Sequence, residues 1–154
     1  MNERILRMIP LGAVGLYLVL VTFGCNNPPI DNTAPPDLIV TLLTANPASG
    51  KIGDPITVAT VTSNKGLGNA NSSMSYIYLC TSTNGLTTAC LWATYTTPFL
   101  LPGKTSYWQN TLTVPSHATP PGSFYVIDVA NAAGTIVEST KGNNSNSIAF
   151  TVTP

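Results

Sequence analysis

Charge is scarce in this chain. Of 154 residues, six are Lys or Arg, six are Asp or Glu, and one is His. No cluster of Lys and Arg exists to displace counterions from phosphates, so a nucleic-acid partner is excluded. The scarcity does not mean disorder, because apolar residues make up 44% of the chain and its polar residues are mostly Thr, Ser and Asn. Sequences rich in Thr and poor in Lys and Glu favour strands over helices. Downstream of the first 24 residues no segment carries apolar residues at helical spacing over three turns. No Gly-rich loop follows a strand and opens a helix, which removes phosphate-cradling folds. The single histidine, His117, lies in a Pro-Ser-His-Ala-Thr-Pro stretch that reads as an exposed loop. Ser116 and Asp128 are present, but no nucleophile elbow accompanies them. The carboxylates Asp37, Asp54, Asp128 and Glu138 are scattered over different turns and strands, where they read as turn caps rather than as a glycosidase pair. No catalytic residue and no cofactor is expected.

What is present begins at the N-terminus. Arg4 and Arg7 precede an apolar stretch over residues 8–23, which ends at Gly24-Cys25 before a polar, Pro-rich run. This is the grammar of a signal peptide, and the stretch is short for a membrane span. An uncleaved anchor is the alternative. The junction resembles that of bacterial lipoproteins, in which the first residue after the cut is a cysteine that carries lipid. Gly24 and Cys25 match; Thr22 and Phe23 depart from the usual Leu and small residue. The resemblance implies lipidation of Cys25 and anchoring to a membrane, with Asn26 permitting transfer to the outer membrane. An ordinary secretory signal with a free thiol is the competing reading. The expected division is a signal peptide over residues 1–24, a Pro-rich tether over 25–36 and a domain over 37–154. Cut before Cys25, the chain holds four lysines against five carboxylates. Four prolines stand in the eleven residues 26–36, which precludes helix and sheet; extended, they reach on the order of 35 Å.

Export makes Cys80 and Cys90 informative. In an oxidising compartment two cysteines so close in sequence are expected to pair. A metal site is the alternative, but two cysteines and His117 are too few ligands for structural zinc. Beyond the tether, short apolar runs alternate with turn signals. Strands are expected over 38–43, 56–61, 74–79, 91–95, 107–114, 124–129 and 147–152. Turns are expected at Gly53-Asp54-Pro55, at 64–69, at Leu101-Pro102-Gly103 and at Pro120-Pro121-Gly122. Without sequence for helical crossovers the strands must pair antiparallel. The fold class is therefore all-β, an immunoglobulin-like antiparallel β-sandwich of about seven strands. Trp92, Trp108, Tyr76, Tyr107, Phe124 and Phe150 are the candidates for aromatic bulk in its core.

The order of these features resembles the CARDB family, the "cell adhesion related domain found in bacteria". The resemblance rests on Pro36-Asp37-Leu38-Ile39-Val40, Ile56-Thr57-Val58 with Asn64-Lys65-Gly66, Tyr78-Leu79, Leu101-Pro102-Gly103 and Pro121-Gly122-Ser123-Phe124-Tyr125. It is completed by the signature Glu138-Ser139 with Asn143-Asn144. It implies an immunoglobulin-like sandwich on surface or secreted bacterial proteins, without enzymatic activity. Glu138, Asn143 and Asn144 then read as a structural signature that bonds the hairpin before the last strand. Asn131 stands where an Asp is common in the family, and Lys141 where a second Glu is usual. Too few carboxylates remain for calcium, so no metal is expected.

Two functions follow as expectations. The first is a cell-envelope or surface module that binds a protein or glycan through loops at one end of the sandwich, with Trp92 and Tyr95 as possible contact residues. The second is a structural subunit that self-associates, since edge strands of Ser, Thr and Asn lack the lysines that block edge pairing.

Overall fold

The structure, a computed structural model, describes residues 33–154. The apolar leader, Cys25 and most of the tether fall outside the described residues. The described residues form eight strands: β1 (Leu38–Asn46), β2 (Ser49–Gly50), β3 (Pro55–Asn64), β4 (Ser73–Cys80), β5 (Leu91–Thr97), β6 (Thr105–Thr113), β7 (Gly122–Val129) and β8 (Ser145–Val152). A single 3-10 turn, Thr88–Cys90, precedes β5. The sheets are β1-β3-β6 and β2-β8-β7-β4-β5. All the expected strands are present, most of them longer than the apolar runs alone imply. The extra strand β2 has two residues and pairs with β8 in parallel. That pairing is the exception to the antiparallel expectation, and it needs no helical crossover because β2 only edges the sheet.

The strands follow from period-two patterning. On β3, Ile56 and Val58 point inward and are fully buried, with Thr60 and Thr62 on the same face. On β4, Ile77 and Leu79 face the core, and Tyr76 and Tyr78 fall on the outer face. This settles an ambiguity of the sequence, in which either pair could point inward. Phe124 and Val126 on β7 and Phe150 and Val152 on β8 complete the packed layer opposite β1 and β3. Burying each such side chain contributes roughly 2 kcal/mol relative to leaving it in water. Of the aromatic candidates, Phe124 and Phe150 are in the core, and Trp92 and Trp108 pack against its margin. Tyr107 is 61% exposed on the outer face of β6. It alternates with Trp108, and only one of two neighbouring strand residues can face inward.

The turns are as the sequence implies at Gly53 and Gly103, both at positive φ. The 64–69 loop is different. Gly66 and Gly68 are not at positive φ; they are required because residues 34–37 cross directly over them. A Cβ on Gly68 would lie 1.7 Å from the carbonyl oxygen of Ala34. Lys65 N donates to Asp37 O at 2.7 Å, which continues this crossing. The loop is thus the seat on which the end of the tether is clamped to the domain.

Candidate functional site

Three polar assemblies stand out among the described residues. The first lies between the sheets. Asp128, two residues after Val126 on the same inward face, is fully buried. Its Oδ2 accepts from Thr60 Oγ1 on β3 at 2.5 Å and from the Tyr95 hydroxyl on β5 at 2.8 Å. Tyr95 Oη also lies 3.3 Å from Thr62 Oγ1, and Ser75 and Thr97 hydroxyls pair at 2.9 Å beside it. Burial pushes the Asp128 carboxyl up to about 6, although bonds from Thr60, Tyr95 and the Val129 backbone pull the other way. Burial, then the nearby Asp128 charge, also raises the Tyr95 phenol. Asp128 is no turn cap, contrary to the scattered-carboxylate reading. Its signal was available in the sequence as an acid in phase with Phe124 and Val126, opposite threonines in phase with Ile56 and Val58. Tyr95 is only 7% exposed and stacks on Trp108 at 4.7 Å between ring centroids. As a ligand-contact residue it has almost no surface to offer. Trp92 is half-buried, leans on Phe150 and donates its indole N–H to Thr113 O at 2.7 Å.

The second assembly joins the end of β7 to the start of β1. Glu138 Oε2 accepts from Leu38 N at 2.6 Å. Its Oε1 accepts from Asn131 Nδ2 at 2.7 Å and from Asn144 Nδ2 at 2.6 Å. Asn131 sits at φ 48°, a left-handed conformation that Asn tolerates. Its amide also donates to Ile136 O and accepts from Ile136 N, so its orientation is fixed. Asn144 Nδ2 reaches Ala130 O as well. Asn143 donates to both carboxylate oxygens of Asp37, at 3.0 and 3.3 Å. A companion hub, which the sequence signals only as a turn residue, is Asn64. Its amide donates to Gly68 O and Leu100 O and accepts from Asp37 N and Gly66 N. These bonds tie both ends of the domain's first segment to the loops at one end of the sandwich.

The Glu138 assembly is a poor receptor for a divalent cation. Both oxygens of Glu138 face N–H donors, and the two asparagines turn nitrogen rather than oxygen toward it. Lys141 lines the same hollow and adds positive charge. Among the described residues no three His, Cys, Asp or Glu side chains gather as a metal site.

The third assembly lies at the opposite end of β4. Cys80 and Cys90 form a disulfide with Cα atoms 5.4 Å apart, as their spacing implies. It closes the 81–89 loop over a hollow of about 410 Å³ shared with His117, Thr119 and Phe124. His117 Nε2 is buried there without a protein partner. His117 is therefore partly enclosed beneath this loop, not freely exposed as its Pro-flanked sequence implies.

The profile of the CARDB family matches residues 35–148. The chain belongs to the CARDB family. This is a surface- and adhesion-related family of non-catalytic domains. Its solved neighbours include a CARDB domain of a Pyrococcus furiosus protein, determined in complex with di-metal ions. That domain has TM-score 0.58 and 21% identity over 77% of this chain and 94% of its own. A Methanosarcina acetivorans domain described as part of a cell surface protein has TM-score 0.57 and 16% identity, covering 77% of this chain and 93% of its own. β-Glucosidase 3B from Thermotoga neapolitana, solved with α-D-glucose, matches at TM-score 0.53 and 17% identity. That match covers 77% of this chain but 16% of the enzyme. At such identities these likenesses show the fold. No curated protein matches the chain. CARDB domains occur in cell-surface proteins, and among the described residues no helix is long and apolar enough to cross a membrane.

Proposed function

We propose that this CARDB chain is a non-catalytic lipoprotein of the bacterial cell envelope that binds a surface protein or glycan. On this reading the leader is removed before Cys25, and lipid on Cys25 holds the protein on a membrane, the outer membrane or cell surface. The Pro-rich tether spaces the domain from it, and the sandwich presents its far loops to a partner. The observation that carries the binding role is the disulfide-closed loop over the hollow at the end of β4. Its rim of Thr81, Ser82, Asn84 and Thr87 is polar and uncharged, with Leu79 and Phe124 buried behind it. A rim of uncharged hydroxyl and amide groups suits a neutral glycan or an uncharged peptide loop better than a charged ligand. The clamp of residues 34–37 onto Gly66 and Gly68 supports a fixed exit for the tether, at the end of the sandwich away from that hollow.

Two experiments test the reading. Intact mass of the exported protein decides the anchor; an unmodified thiol at Cys25 or a retained leader refutes it. A glycan array and a surface-protein screen are probed with the exported chain and with its Asn84→Ala and Thr87→Ala variants. A ligand lost in both variants supports the site. A ligand that binds both variants unchanged refutes its placement in this hollow.

A further inference from the structure

The edge of β6 differs from the other edge of its sheet. Asn64 N donates to Lys104 O at one end of the β3–β6 ladder, and Val114 N donates to Asp54 O at the other. Both bonds keep the register of the ladder between them. Hydrogen-bonded pairs alternate along an antiparallel ladder. Ser106, Trp108, Asn110 and Leu112 therefore bond β3, while Thr105, Tyr107, Gln109, Thr111 and Thr113 turn their N–H and C=O groups away from it. Two contacts agree with this assignment. Thr113 O is capped by the Trp92 indole, and Thr111 N bonds the side chain of Asn110. These two caps close the C-terminal half of the edge. The half from Thr105 to Gln109 is left as a row of outward backbone groups.

That row has none of the usual guards. It carries no charge, proline or glycine, the devices that normally block strand addition. On the opposite edge, β1 has a bulge between Val40 and Leu42. There Leu38 N is taken by Glu138, and Val40 O by Asn146 Nδ2. Around the open row the outer face is also neutral: Leu42, Val61 and Tyr107 stand in one line across the sheet, with Leu42 45% exposed.

We infer that the Thr105–Gln109 edge pairs antiparallel with the same edge of a second copy of this chain, about a two-fold axis at Tyr107. A second copy is the occupant the edge fits for two reasons. A two-fold pairing sets the strand against its own sequence, so any charge on it would be doubled in the seam, and this strand carries none. The parity of the edge also permits it. Tyr107 faces Tyr107, and Thr105 faces Gln109 twice, so these pairs are made by residues whose backbone groups point outward, while Ser106 and Trp108, which face each other between them, keep their bonds to β3. The two tyrosines, each already at the exposed edge, then lie side by side on the outer face.

The test uses the full chain with single substitutions at exposed positions and a short bis-maleimide, with linked peptides mapped by mass. Tyr107→Cys is expected to link to itself at least tenfold more than Gln109→Cys, whose like residues sit four positions out of register. Tyr125→Cys, on the outer face of the other sheet, reports random collision and is expected to link at the level of Gln109→Cys. The native Cys80–Cys90 peptide in each digest verifies the fold. Equal linking in all three variants, stronger linking at Gln109→Cys, linkage of Tyr107→Cys to a different protein, or no linkage overturns the inference.

Discussion

Replacing Asp128 with Asn is expected to make the domain more stable at neutral pH and to remove a pH dependence between about 4 and 6. Thr60 Oγ1 lies 2.5 Å from Asp128 Oδ2 and 3.0 Å from Leu42 O. One hydroxyl proton cannot serve both. If the carboxyl is protonated, it donates to Thr60, and Thr60 donates to Leu42 O. If it is ionised, either Leu42 O loses its side-chain donor or a negative charge lies buried short of donors. Burial accordingly raises this carboxyl from 3.8 to about 6. The folded state holds the proton more tightly than the unfolded chain does. The stabilisation is therefore complete below pH about 4 and is lost as pH rises through about 6. At about 1.4 kcal/mol per tenfold in proton affinity, the loss is about 3 kcal/mol. Asparagine keeps the shape without a charge at any pH: its amide N–H₂ donates to Thr60, and the Tyr95 hydroxyl, which that nitrogen cannot accept from, has Thr62 Oγ1 at 3.3 Å as its other acceptor. Urea unfolding of both proteins at pH about 3.5, 5 and 7 measures the difference, because other carboxylates titrate equally in each and cancel. The Asp128→Asn variant is expected to gain about 3 kcal/mol on the native protein between the lowest and highest pH. Parallel pH curves within about 0.5 kcal/mol would refute the assignment of a buried, proton-holding Asp128.

Other expectations are simpler. Glu138→Ala strips acceptors from Leu38 N, Asn131 and Asn144 at once and is expected to cost about 3 kcal/mol or more, seen as a lower urea midpoint. Gly68→Ala drives a methyl into Ala34 O. It is expected to cost about 1–3 kcal/mol and to expose the segment before Asp37 to limited proteolysis. Reducing the Cys80–Cys90 bond, or replacing both cysteines with Ser, is expected to lower stability by about 2–3 kcal/mol, with the strand content unchanged by far-ultraviolet circular dichroism. Phe150→Ala empties the centre of the apolar half and is expected to cost about 3–5 kcal/mol.

Much of the fold was legible because strands announce themselves locally. Ile56, Val58, Phe124 and Val126 alternate with polar neighbours, and glycines mark several of the hairpins. The disulfide was legible from two cysteines and the expectation of export. Less legible was whatever depends on a distant partner. Nothing near Gly66 or Gly68 says that residues 34–37 lie on top of them. Nothing near Asn64 says that its amide will bond both Leu100 O and Asp37 N. Tyr95 looked like a surface aromatic because a threonine flanks it on each side. Its inward direction depends on Asp128, 33 residues away. The roles of Trp92 and Trp108 were likewise unreadable, since both sit at the margin where sheet twist decides what is covered.

The polar inward face and the open edge of this sequence are linked. An inward face of Thr60, Thr62, Ser75, Thr97 and Asp128 weakens the apolar core where leucines and valines would stabilise it. A buried hydroxyl and carboxyl network needs its members within hydrogen-bond reach, so it also favours one residue of β3 opposite each residue of β7. A slip of one residue would bury the wrong face of each strand and orphan Asp128. The outer face of the three-stranded sheet is instead neutral around Leu42, Val61 and Tyr107, with its hydrogen-bonding edge open at Thr105–Gln109. Register is therefore defended inside the molecule by buried polar groups that lose their partners when a strand slips. The edge that lacks such a defence is the one whose pairing would have to come from another chain.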